Sequence, residues 1–269
     1  MRIAANRIEI ELEDSGETDR PVVLLIMGMG MQLISWPPGL VRALRNAGFR
    51  VIRFDNRDAG LSTRFAHAGV PNLLWQGFRT HLGFPAEPAY SLQDMALDAL
   101  GVLDALHLDR AHVVGMSMGG MIAQRLALQA PERVASLCSI MSSSGAPDLP
   151  MPDAKVMQLL LGKPARPGLE GAVDHTLKFL SAVSSPAYPP DAGLLKTLIT
   201  ASVERSYRPD GIARQMHAVM TDTERANQLH RITAPTLLLR GAESDLLSTA
   251  TAEAMTDITK PRRCFGQKS

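Results

Sequence analysis

The stretch Pro21–Met27, PVVLLIM, carries no polar side chain and is stopped by glycine. A strand with one wet face alternates apolar and polar residues, so a continuous apolar run of this length reads as a strand buried on both faces. Covering both faces takes a layer of helices above and below the sheet, and that restricts the chain to α/β architectures. Ala234–Gly241, APTLLLRG, has the same character. Phe49–Asp55, Ala111–Met116 and Ala135–Met141 read as further strands, and RIEIEL near the N-terminus alternates as a half-exposed one. Between them lie helical patterns. One places Leu40, Leu44 and Ala47 on a common face and ends at Gly48. A second opens at Ser91, an N-cap residue type, and carries Met95, Leu100 and Leu103. A third begins at Gly119 and is ended by Pro131. Strand and helix alternate, which predicts a mostly parallel, doubly wound sheet with right-handed crossovers.

From about Asp148 to Ile232 the alternation stops, and Pro-rich breaks separate helical segments such as Leu169–Val183 and Gly193–Tyr207. The expected organisation is an α/β core of residues 1–147 and 233–269 with a helical cap, 148–232, inserted in it. Such a cap is expected to act as a removable lid that supplies the apolar wall of a substrate site.

The 269 residues carry a net charge of +1 and are 45% hydrophobic, enough for one domain with a sizeable core. The near-neutral balance and the lack of a basic patch interleaved with aromatics argue against nucleic-acid binding. No apolar run reaches the ~20 residues of a membrane span, and no signal-peptide pattern opens the chain. A cytoplasmic protein without membrane contact is expected. The two cysteines, Cys138 and Cys264, have no metal or redox spacing. Metal motifs are absent from the sequence, and no cofactor is expected. GMGMQL, Gly28–Leu33, fails as a dinucleotide loop because Leu33 stands where the third glycine belongs.

The chemistry-bearing motif is GMSMGG, Gly115–Gly120, between the strand ending at Met116 and the helix that follows. Gly-x-Ser-x-Gly at a strand-to-helix junction is a nucleophile elbow. Its serine sits on a sharp, strained turn that projects the hydroxyl outward, and the glycines leave room for that turn. The helix N-terminus beneath Ser117 supplies amides and a positive dipole end that favour an oxyanion.

With this motif in place, residues from about 20 to 256 resemble the α/β-hydrolase superfamily, in particular its lidded serine esterases and related peptidases. IMGMG, Ile26–Gly30, is similar to the oxyanion loop of that family, which implies the Met29 amide as one oxyanion donor and the Met118 amide as the other. FDNRDAGLS, Phe54–Ser62, resembles the family's Asp-x-Arg-Gly-x-Gly-x-Ser loop, with Asp58 where glycine is usual, and reads as a charge-paired structural turn. The family order Ser, Asp, His implies an acid after the post-cap strand: Asp245, with Glu243 its nearest rival. The methionines at 27, 29, 31, 116 and 118 read equally as core filler or substrate wall.

The histidine of that order is missing. All seven histidines precede Asp245, and His217 and His230 are the two in the cap segment closest to the acid in sequence. The chain therefore reads as truncated before the last strand and its Gly-His loop. That leaves the strand ending near Arg240 as an apolar edge expected to favour dimerisation. Two function classes stay open. One is a serine hydrolase acting on a small carboxylic ester, with amide or C–C bonds as other targets of the family. The other is a catalytically impaired hydrolase-fold protein or small-molecule binding module that lacks the base.

Overall fold

A computed structural model describes residues 1–240 apart from 83, 86, 147, 148, 150–152, 186 and 188. The acid candidates Asp245 and Glu243, the helix expected at Thr249–Met255, Cys264 and the segment expected to lack the last strand and histidine loop lie outside the described residues.

The sheet has seven described strands: β1 (Arg2–Ala5), β2 (Ile8–Asp14), β3 (Val22–Ile26), β4 (Arg50–Phe54), β5 (Ala111–Met116), β6 (Val134–Ile140) and β7 (Thr236–Leu239). Their spatial order is β1-β2-β4-β3-β5-β6-β7. β1 and β2 run antiparallel to their neighbours, and β4, β3, β5, β6 and β7 are all parallel. The alternating β2 thus sits toward the antiparallel edge, and the all-apolar β3 lies at the centre.

β3 explains why its sequence has no polar position. Val22, Leu24 and Ile26 pack into one apolar cluster, and Val23, Leu25 and Met27 into a second on the opposite face. The first cluster is roofed by α3 (Leu92–Ala105) and α4 (Met118–Gln129). Trp36 and α1 (Pro38–Asn46) cover the second. Ser91 caps α3 as expected: its hydroxyl accepts the Asp94 N–H, and the Asp94 carboxylate accepts the Ser91 N–H, a reciprocal capping box. The face expected for α1 is corrected. Leu40 and Ala47 are exposed, and Val41 and Leu44 make the contact with the sheet. Leu40 lies one position before Val41, about 100° away around the helix, and so misses the sheet.

Two elements have no counterpart in the sequence reading, β1 and α2 (Leu73–His81). Between β6 and β7 stand α5 (Ala154–Leu161), α6 (Gly168–Ala182), α7 (Ala192–Arg205) and α8 (Pro209–Met220). No helix among the described residues is long and apolar enough to cross a membrane.

Candidate active site

Ser117 occupies the single residue between β5 and α4, with φ 52° and ψ −120°. An L-residue pays for that conformation in steric strain and keeps it only where the surroundings over-determine it. Here they do. The Ser117 N–H donates to Ile140 O on β6 at 2.8 Å, and its carbonyl accepts the Gly120 N–H at 2.9 Å. The glycines are fixed by close approach rather than by flexibility. A Cβ on Gly119 would lie 2.1 Å from Ile26 O, so α4 rests directly on the β3 backbone there. Gly120 is close to the sheet as well: a Cβ there would lie 2.7 Å from Ser139 Oγ on β6 and 2.6 Å from the Ser142 side chain.

The loop implied to form the oxyanion hole leaves β3 and packs against the elbow. A Cβ on Gly28 would come within 3.3 Å of Ser117 Cβ and 3.9 Å of its Oγ. The loop is a tight turn in which the Met31 N–H donates to Gly28 O at 3.2 Å. The Gly30 N–H donates to Gln215 Oε1 on α8 at 2.8 Å. That leaves Met29 as the one amide of the three without an acceptor among the described residues, and the Met118 amide at the start of α4 is in the same condition. The two amides implied as donors, those of Met29 and Met118, thus share the lack of an acceptor among the described residues. The flanking methionines divide: Met27 and Met118 are core, whereas Met29, Met31 and Met116 are half-buried.

The loop after β4 is the charge-paired turn the sequence suggested, but its partners come from far along the chain. Asp55 is fully buried; it accepts the Leu33 N–H at 2.7 Å and an ion pair from Arg205 of α7, also at 2.7 Å. Arg57 forms a fork on Asp98 of α3 at 2.6 and 2.7 Å and lies over the Phe65 and Tyr90 rings. Asp58, at φ 64°, receives a second fork from Arg214 of α8 at 2.7 and 2.8 Å. It also accepts from the Phe65 N–H and the Tyr90 hydroxyl. Burial raises the Asp58 pKa, but Arg214 and these two donors outweigh it and hold the carboxyl below its ordinary value. Tyr90, desolvated and facing the Asp58 charge, is pushed far up and stays a donor.

Of the described histidine side chains, none hydrogen-bonds to Ser117. His67, His107 and His230 are exposed, and His112 pairs with Ser136 at 2.8 Å. His217 is 3% exposed, its Nε2 has no partner among the described residues, and burial pushes its pKa down so that it is neutral. It lies two positions from Gln215, about 200° around α8, and so on nearly the opposite side from the contact with the oxyanion loop. Sequence reasoning named Ser117, Met29 and Met118 but not Arg214, Gln215 and Arg205, which the structure brings to the loops after β3 and β4. The available signal was polar residues at Arg214 and Gln215 on the face of α8 that also carries Gly211 and Ala218, all buried.

The chain is similar to several known proteins. The chain is 35% identical over 185 residues to rhodomycin D methylesterase DauP of Streptomyces sp. (strain C5), a match covering 69% of this chain and 55% of that protein. A putative carbamate hydrolase RutD of Variovorax paradoxus (strain S110) is 37% identical over 128 residues, 48% of this chain and 40% of its own length. The chain thus spans only about half the length of these curated relatives. Among solved structures, the enol-lactonase from Burkholderia xenovorans LB400 superposes with a TM-score of 0.71 at 20% identity, covering 96% of this chain and 87% of that one. The family model of the alpha/beta hydrolase fold matches residues 21–265, and with the parallel sheet and serine elbow in place, the chain belongs to that family.

Proposed function

We propose that the chain is a serine hydrolase whose substrate is a small carboxylic ester, with Ser117 as nucleophile, the Met29 and Met118 amides as oxyanion hole, and α5–α8 as cap. The observation that carries the reading is a strained serine at the start of α4, with Gly28 of the loop after β3 packed against it; the Met29 and Met118 amides, which have no acceptor among the described residues, support it. In this scheme Ser117 Oγ bonds to the acyl carbon, and the carbonyl electron pair moves onto the oxygen held by the two N–H groups. Collapse of that adduct expels the alcohol, which takes up a proton, and water then releases the acid. The likeness to a methylesterase supports an ester over an amide. Asp245 is the proposed triad acid.

A second reading has a specific observation behind it: no described histidine bonds to Ser117, so the 269-residue polypeptide is a poor catalyst that retains the binding site. One experiment addresses both. Incubation with a fluorophosphonate forms an Oγ–P bond and expels fluoride, and the adduct is expected on Ser117 by mass spectrometry. Labelling of another serine with Ser117 unmodified overturns the assignment. On the second reading, turnover of p-nitrophenyl acetate is expected to stay close to background. In subtilisin, loss of the triad histidine costs about 10⁶ in kcat and leaves about 10³–10⁴ over water. Ordinary enzymatic rates abolished by Ser117→Ala would mean that a base is present, with His217 and His230 the first to substitute.

A further inference from the structure

The helical segment does not merely cover the oxyanion loop; it is bonded to it. Gln215 has no exposed surface. Its Oε1 accepts the Gly30 N–H at 2.8 Å, and its Nε2 donates to Arg57 O at 2.7 Å. One amide side chain thus ties α8 to the oxyanion turn and to the loop after β4. Two residues on, Gln32 is 2% exposed and donates to Ser202 O and Ser206 O at 2.6 and 2.8 Å. Its own Oε1 accepts from Arg205 at 2.6 Å. Ile212 closes the packing: a Cβ on Gly30 would lie 2.7 Å from its side chain.

Within the turn, the arrangement has a chemical consequence. Of the three amides of Met29, Gly30 and Met31, the turn itself consumes Met31 and Gln215 consumes Gly30. The Met29 and Gly30 N–H groups lie in adjacent peptide units joined at the Met29 Cα, so a turn whose Gly30 N–H had no acceptor could change the φ and ψ of Met29 and with them the orientation of the Met29 N–H. We infer that Gln215 is a positioning residue that fixes the oxyanion turn from the cap, so that the Met29 amide points at the Ser117 site only while α8 is docked. This rests on the serine-hydrolase reading above.

The test uses the full chain with Gln215→Met, which keeps the length of the side chain but loses both hydrogen bonds, and Gln215→Glu, which keeps the acceptor for Gly30. With a fluorophosphonate, Gln215→Met is expected to lower the labelling rate at saturating probe about 10- to 100-fold. That is the range of losing or misplacing one oxyanion donor. The probe concentration for half-maximal rate is expected to stay within about threefold. Gln215→Glu is expected to recover part of the rate, and a purely structural role would leave the saturating rate of any folded variant unchanged. Labelling of folded Gln215→Met within twofold of the parent overturns the inference. Amide hydrogen exchange at Gly30 is read in parallel: protection in the parent that is lost in Gln215→Met and kept at least in part in Gln215→Glu supports the latch, and equal exchange in the parent and Gln215→Met overturns it. A parent unlabelled at Ser117 overturns the serine reading alone, and the Gly30 exchange then decides the latch.

Discussion

Arg214→Leu is expected to destabilise the chain by about 3–5 kcal/mol, the range for removing one partner of a buried ion pair. That is a large share of the 5–15 kcal/mol typical of a domain. The side chains of Arg214 and Asp58 are 1% and 0% exposed. Without the guanidinium, Asp58 keeps the Phe65 N–H and the Tyr90 hydroxyl but loses the cation that makes its charge tolerable. The converse loss is milder. In Asp58→Gly, Arg214 keeps Asp210 at 2.8 Å and Gly69 O at 2.6 Å. Glycine also suits the φ of 64° at that position. We expect Asp58→Gly to cost less than Arg214→Leu, and the double variant to recover part of the arginine loss. Urea unfolding of the three variants measures all of this; an Arg214→Leu cost below 1 kcal/mol, or an Asp58→Gly cost above it, refutes the account. The pH dependence has a definite sign. The folded Asp58 carboxyl lies below its ordinary 3.8. Its contribution is therefore complete above that value and lost as pH falls through the folded one. Asp58→Gly should flatten the acid limb of the stability profile.

The same pair leads to a different expectation for removing the lid. Arg205, Arg214 and Gln215 all come from α7 and α8, and their partners Asp55, Asp58, Gly30 and Arg57 are core residues. Excising residues 148–232 would leave two buried carboxylates without their cations and the oxyanion turn without its clamp. Deletion is expected to yield an insoluble core rather than an esterase of broader selectivity.

How much of this was legible follows from the range of the interactions. β3 could be placed at the sheet centre because burial on both faces writes itself into consecutive residues, Val22 to Ile26. The elbow was legible because strand, turn and helix are contiguous, and the glycines that permit the close approach stand beside Ser117. The α3 cap was legible for the same reason, since Ser91 and Asp94 satisfy each other within one turn. Gln215 and Arg214 were not, because their core partners Gly30, Arg57, Asp58 and Gly69 are 145 to 185 positions away. Nothing in the local pattern says which buried polar group a cap residue will meet. Asp58 was the one clue: a charged residue in place of the family's glycine needs a buried cation, though the sequence does not say which arginine supplies it.

Ser117→Gly is expected to abolish labelling at this position and, at the same time, to make the protein more stable. The φ of 52° and ψ of −120° at Ser117 belong to the region that glycine dominates in tight turns. A non-glycine residue held in such a sparsely populated conformation costs about 1–3 kcal/mol. Glycine removes that cost but adds about 0.5–1 kcal/mol of conformational entropy to the unfolded chain. The hydroxyl makes no hydrogen bond among the described residues, so its removal forfeits none of them. The net expectation is a gain of about 1 kcal/mol by urea unfolding. Ser117→Ala separates strain from chemistry, because it loses the hydroxyl but keeps the Cβ and therefore the strain. It should be as inert as the glycine variant and no more stable than the parent. If Ser117→Gly is no more stable than Ser117→Ala, the turn carries no strain of consequence, and the case for a serine held there for its chemistry loses its energetic support. A gain confined to the glycine variant means that the chain gives up stability at this residue to keep a side chain that contributes nothing else to the fold.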